Sequence, residues 1–150
     1  MCISRSSVQK NYRCFFYLFF VLHKCKKKIK KTPIIFLHGG PGSTHNYFLS
    51  LKSLAKDRDI YMYDQIGGGA SSVTVQKLWK VETFVEELSI LIKNWKLDSF
   101  ILMGASWGTT LALEYFLAAK KSEVVKIERI IFQSPFFFNK RLGERCQSFN

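Results

Sequence analysis

Phe100-Ile101-Leu102-Met103-Gly104-Ala105-Ser106-Trp107-Gly108-Thr109-Thr110-Leu111-Ala112-Leu113-Glu114-Tyr115-Phe116 is an apolar run, a Gly-x-Ser-x-Gly turn and a helix-like stretch in direct succession. A serine between two glycines at a strand-to-helix turn has the form of a nucleophile elbow. The turn is so tight that its flanking positions have little room for side chains. The serine is thereby raised above the sheet edge, and the helix that follows aims its first N–H groups at any negative charge developing there. The chemistry such a serine serves is attack by an activated hydroxyl on a carbonyl. The alternative is a turn serine in a glycine-rich bend.

Working outward, residues 33–37 (Pro33-Ile34-Ile35-Phe36-Leu37) form a buried-strand pattern that breaks at His38-Gly39-Gly40-Pro41-Gly42. Residues 46–56 carry Tyr47, Phe48, Leu51 and Leu54 at helical spacing. Residues 59–63 read as a second strand, followed by the glycine-rich loop Asp64-Gln65-Ile66-Gly67-Gly68-Gly69-Ala70-Ser71-Ser72. From 81 to 95, Val81, Phe84, Val85, Leu88, Ile92 and Trp95 share one helical face, with Glu82, Glu86, Glu87 and Lys93 elsewhere. Residues 100–103 are the third strand, 107 to about 120 the helix after the elbow, and 127–133 a fourth strand. Residues 136–150 show no clear element. Alternating strands and helices predict an α/β fold, a mostly parallel sheet covered by helices on both faces.

The chain has 150 residues and a net charge of +12. Residues 1–31 hold nine Lys or Arg and no acid, whereas residues 32–150 carry a net charge of only +3. A basic field is thus confined to the N-terminal segment, and the expectation is a protein that binds no nucleic acid. Residues 15–22, Phe15 to Leu22, are too short an apolar run to span a membrane. They have the length of a signal-peptide core, but a lysine run follows instead of a small-residue cleavage site. A buried strand is the other reading, and a non-targeting segment is preferred. Residues 1–31 are therefore set apart from a domain of residues 32–150. Cys2, Cys14, Cys25 and Cys146 show neither C-x-x-C nor zinc spacing, so free thiols in the cytoplasm are expected, with no metal. No phosphate-binding or dinucleotide fingerprint is present, and no cofactor is called for.

The order strand, His-Gly-Gly-Pro-Gly, helix, strand, Asp-Gln-x-Gly-x-Gly-x-Ser, helix, strand, Gly-x-Ser-Trp-Gly, helix resembles the proline iminopeptidase branch of the α/β-hydrolases. These are serine aminopeptidases that remove N-terminal residues, notably proline. The resemblance runs from about Thr32 to about Pro135 and includes the helix reading Val81-Glu82-Thr83-Phe84-Val85-Glu86-Glu87-Leu88. It implies Ser106 as nucleophile and the Trp107 N–H as one oxyanion donor. Gly40 is the preferred second donor, because a glycine lets the backbone approach the substrate oxygen; Gly39 is the near alternative, and Pro41 has no N–H to donate. His38 and Asp64 are read as structural: His38 as an anchor of the oxyanion loop, and Asp64 as a strand-end acceptor of local N–H groups. His45 is expected to face solvent. The implied substrate is a peptide or amide with a free N-terminus.

His23, His38 and His45 all precede Ser106, although the family's triad order is Ser, acid, His. The acids after it, Glu114, Glu123, Glu128 and Glu144, do not end a later strand. Neither a triad acid nor a base is therefore expected within residues 1–150, and the chain reads as a partial α/β-hydrolase fold without the cap and C-terminal strands. Alone it should be weakly active or inactive. The alternatives are a non-catalytic remnant or binding module, with a partner chain completing the sheet, and an esterase or amidase of the same fold.

Overall fold

The computed structural model describes residues 3–11, 16–26, 31–71, 79–120 and 125–135. Six strands, β1 (Ile3–Asn11), β2 (Phe16–Lys24), β3 (Lys31–Leu37), β4 (Arg58–Tyr63), β5 (Ser99–Ala105) and β6 (Lys126–Gln133), form one sheet in the order β1-β2-β4-β3-β5-β6. β1 pairs antiparallel with β2, and β2 antiparallel with β4. From β4 through β3 and β5 to β6 the strands are parallel. Of the readings open for the aromatic run, the structure takes the strand: Val21 is buried, and Phe20 and Leu22 pack against the main core. Just after β2, the Cys25 N–H donates to Asp59 Oδ1 at 2.7 Å, fastening the N-terminal strands to the start of β4.

The parallel strands have two buried faces, and their period of two sorts side chains between them. Ile35, Leu37, Tyr61, Tyr63, Phe100 and Leu102 face the helices α1 (Val81–Trp95) and α2 (Trp107–Ala119). Ile34, Phe36, Ile60, Met62 and Ile101 face the other way, onto Phe48 and Ala55 of a 3₁₀ helix, His45–Lys56. That segment was expected as a helix, and it adopts the tighter form. The β5 and β6 expectations lengthen slightly at their ends, and α1 coincides with its predicted span.

α1 departs from expectation in one respect. Glu87, placed by sequence among the polar positions, is buried with Phe84, Leu88 and Leu91. It lies three residues after Phe84 and four before Leu91, on the core-facing stripe, so the helix carries a carboxyl group inward. β6 is a sheet edge, and it leaves Ile131 and Phe132 exposed. Among the described residues no helix is long and apolar enough to cross a membrane. Residues 136–150, for which no element was expected, lie outside the described residues, as do Glu123 and Glu144.

Candidate active site

Ser106 stands exposed between β5 and α2, at the C-terminal end of the parallel strands. Its backbone has φ 50° and ψ −119°, in the half of conformational space that non-glycine residues avoid. Holding a serine there costs about 1–3 kcal/mol, which the surroundings must overcome. They do so with three hydrogen bonds. The Ser106 N–H donates to the Gln133 carbonyl at the end of β6 (3.0 Å), and the Ser106 carbonyl accepts from the Thr109 N–H (2.9 Å) and hydroxyl (2.6 Å). The two glycines of the turn serve close approach rather than unusual φ. A Cβ on Gly104 would overlap the Gly108 carbonyl, and one on Gly108 would overlap the carbonyl of Leu37 in β3.

The loop after β3 comes up beside the serine. A Cβ built on Gly39 would lie 3.3 Å from Ser106 Cβ and 3.9 Å from its Oγ, so any side chain at 39 would crowd the hydroxyl. His38 is fully buried beneath this loop, with both ring nitrogens engaged. Nε2 accepts the Gln65 N–H at 2.9 Å, which obliges Nδ1 to carry the proton and donate it to the Gly39 carbonyl at 2.7 Å. Burial, above all, holds its pKa below the ordinary histidine value, opposed by the Gly39 carbonyl and the Asp64 carboxylate. The ring is therefore neutral and of one tautomer. In a trans peptide the C=O and N–H point in opposite directions. Tying the Gly39 carbonyl to His38 thus turns the Gly40 N–H away from the imidazole.

The loop after β4 is held from within. Asp64 is buried; its Oδ1 accepts from the His45 N–H (2.8 Å) and pairs with His45 Nδ1 (2.7 Å), and its Oδ2 accepts the Ala70 N–H (2.9 Å). His45 is consequently buried, not solvent-facing as its position at a helix start suggested, because the strand-end carboxylate takes both its backbone and its ring N–H. Two residues without an assigned role from sequence complete the arrangement. Gln65, fully buried, donates its side-chain N–H to the His38 carbonyl (2.9 Å) and accepts the indole N–H of Trp107 (2.9 Å). Glu87 Oε1 accepts the Ile66 N–H at 2.7 Å, while Oε2 is buried without a hydrogen-bond partner among the described residues. Burial pushes the Glu87 carboxyl up to about 8, with the Ile66 bond pulling the other way. The signals available in sequence were a glutamine following the strand-end aspartate and a glutamate at a core-facing helical position.

Ser106, Gly39, His38, Gln65 and Trp107 are thus brought into one assembly. No side chain among the described residues bonds the Ser106 hydroxyl. Glu114 is exposed along α2. Glu128 is bound by the hydroxyls of Thr32 (2.7 Å) and Ser99 (3.4 Å), at the N-terminal end of the parallel strands and thus the opposite end from Ser106. His23 is buried in β2, its pKa lowered by burial and then by Lys52 and His45.

This sheet order, with a serine on a strained turn after the central parallel strand, defines an α/β hydrolase fold. The α/β hydrolase fold family matches residues 32–144, and the chain belongs to it. Its sequence relatives include proline iminopeptidases. It is 45% identical over 105 residues to that of Heyndrickxia coagulans, covering 69% of this chain and 35% of the relative. It is 53% identical over 87 residues to that of Levilactobacillus brevis, covering 56% and 29%. Among solved structures, VinJ superposes with a TM-score of 0.75 at 26% identity, covering 87% of this chain and 44% of VinJ. The proline iminopeptidase of Mycobacterium smegmatis superposes with a TM-score of 0.67 at 26% identity, covering 82% and 41%. The chain spans about a third of the length of the curated relatives it matches.

Proposed function

We propose that the chain carries the nucleophile and oxyanion-hole portion of a serine aminopeptidase of the proline iminopeptidase type. Ser106 attacks the carbonyl of the N-terminal residue of a peptide or amide. The backbone N–H groups of Trp107 and Gly40, with Gly39 as the alternative to Gly40, receive the oxyanion. The observation that carries this reading is the strained, exposed Ser106 with Gly39 packed against its side chain. His38 is unsuited to be the base, since both its nitrogens are committed. His38 and Asp64 act as anchors of the two loops. No histidine follows Ser106 within residues 1–150, so turnover by this chain alone is weak or nil; an oxyanion hole without a complete triad retains only residual catalysis. A cytoplasmic location belongs to the same reading, on four cysteines that show no paired spacing.

The test is phosphonylation by a fluorophosphonate, read by intact mass, together with release of p-nitroaniline from L-prolyl-p-nitroanilide. Slow modification confined to Ser106, abolished in Ser106→Ala, with little or no p-nitroaniline released, is expected. A folded chain that is never modified at Ser106 would refute the reading. The exposed Ile131 on β6, the last strand of the sheet among the described residues, favours a second reading, a module that meets a partner chain completing the sheet.

A further inference from the structure

The Gln65 side chain bonds to both segments that flank the proposed oxyanion hole. Its amide oxygen holds the Trp107 indole N–H, and its amide N–H holds the His38 carbonyl, each at 2.9 Å. Its own backbone N–H fixes the His38 ring at 2.9 Å, and that ring in turn orients the Gly39–Gly40 peptide. Trp107 and His38 lie on separate segments, at the start of α2 and the end of β3, and the bonds through Gln65 join them at the level of the serine. The two bonds call for a side chain that accepts at one end and donates at the other, as a primary amide does. One end must accept from an indole, which can only donate, and the other must donate to a carbonyl, which can only accept. All three bonds are buried, so water offers no substitute.

We infer that Gln65 is a positioning residue that sets the spacing between the two oxyanion donors by bridging Trp107 to the His38 loop. The inference rests on the proposed serine hydrolase reading. It also accounts for the tryptophan after the serine: its backbone N–H serves the oxyanion while its indole is the handle by which Gln65 holds it.

The experiment measures fluorophosphonate modification of Ser106 in the 150-residue chain, resolved into probe affinity and maximal rate, alongside thermal melting. The variants are Gln65→Leu, Gln65→Glu, Trp107→Phe and the double variant Gln65→Leu/Trp107→Phe. Gln65→Leu should lower the maximal rate about 10- to 100-fold with probe affinity little changed, since losing one oxyanion donor outright costs about 100- to 1000-fold. Gln65→Glu preserves the volume and the acceptor for the indole but sets a carboxylate against the His38 carbonyl, so its rate should also fall; it serves if the leucine variant does not fold. The double variant separates positioning from stability. Replacing both partners of the Gln65–Trp107 bond by apolar groups removes the unpaired indole and recovers part of the lost stability, the His38 carbonyl staying unpaired. Its melting temperature should return toward wild type while its rate stays low. A rate that recovers with the melting temperature, or a wild-type rate in folded Gln65→Leu or Gln65→Glu, overturns the inference and leaves the hydrolase reading intact. A folded wild-type chain that is never modified at Ser106 overturns both.

Discussion

Glu87→Gln should remove the loss of stability with rising pH that the buried Glu87 carboxyl imposes on the wild type. The Glu87 carboxyl titrates near 8 in the folded protein, because burial disfavours its charged form, against 4.5 as its ordinary value. Between those two pH values the folded state binds a proton that the unfolded state has released. Stability is therefore fully present below about pH 4.5 and falls as pH rises, by about 1.4 kcal/mol per pH unit. Summed to about pH 8, the loss amounts to at most about 5 kcal/mol, a large share of what a single domain has to spare. Glutamine presents the same oxygen to the Ile66 N–H and carries no charge, so the variant should lack this loss; the rise contributed by the lowered His23 and His38 values is common to both proteins. The assay is urea unfolding at low micromolar protein, followed by tryptophan fluorescence, at half-unit steps from pH 5 to 9. Wild type should be the less stable protein at pH 8.5 and close to the variant at pH 5. Parallel curves for the two proteins would refute the reasoning, since they would mean that Glu87 is not buried in its protonated form.

Gly108→Ala should destabilise the fold by about 3 kcal/mol or more, read as a lowered urea midpoint, because its Cβ has nowhere to go but into the Leu37 carbonyl. Gly39→Ala should behave differently: its Cβ meets Ser106 at 3.3 Å, so stability should fall by about 1 kcal/mol while phosphonylation of Ser106 slows at least tenfold. A loss of folding without a separate loss of rate would contradict the placement of that loop. Ile131→Lys on β6, the last strand of the sheet among the described residues, should reduce concentration-dependent self-association in sedimentation velocity, since the wild type exposes an apolar side chain there. Equal association of the two proteins would show that the edge is not the adhesive surface.

The class of fold lay open in the order of signals along the chain. Apolar runs at 33–37, 59–63 and 100–103 and the stripe from Val81 to Trp95 are local patterns set by the strand and helix periods, and they coincide with strands and helix in the structure. The elbow was legible for the same reason: Gly104 and Gly108 are the only residue type that a turn so close to β3 admits, so the steric demand is written into the sequence itself. What periodicity does not carry is the identity of a distant partner. Glu87 is buried because the Ile66 N–H meets it from 21 positions away, and His45 because Asp64 reaches it from 19. The strand Phe16–Lys24 could be told from a signal-like core only once β4 had paired with it. Residue types and spacing by themselves determined where a nucleophile could stand and which backbone groups flank it. Only the tertiary structure decided that Gln65 joins those groups and that His38 is held neutral, because a hydrogen bond between segments depends on how the strands are ordered, and that order forms only when the sheet does.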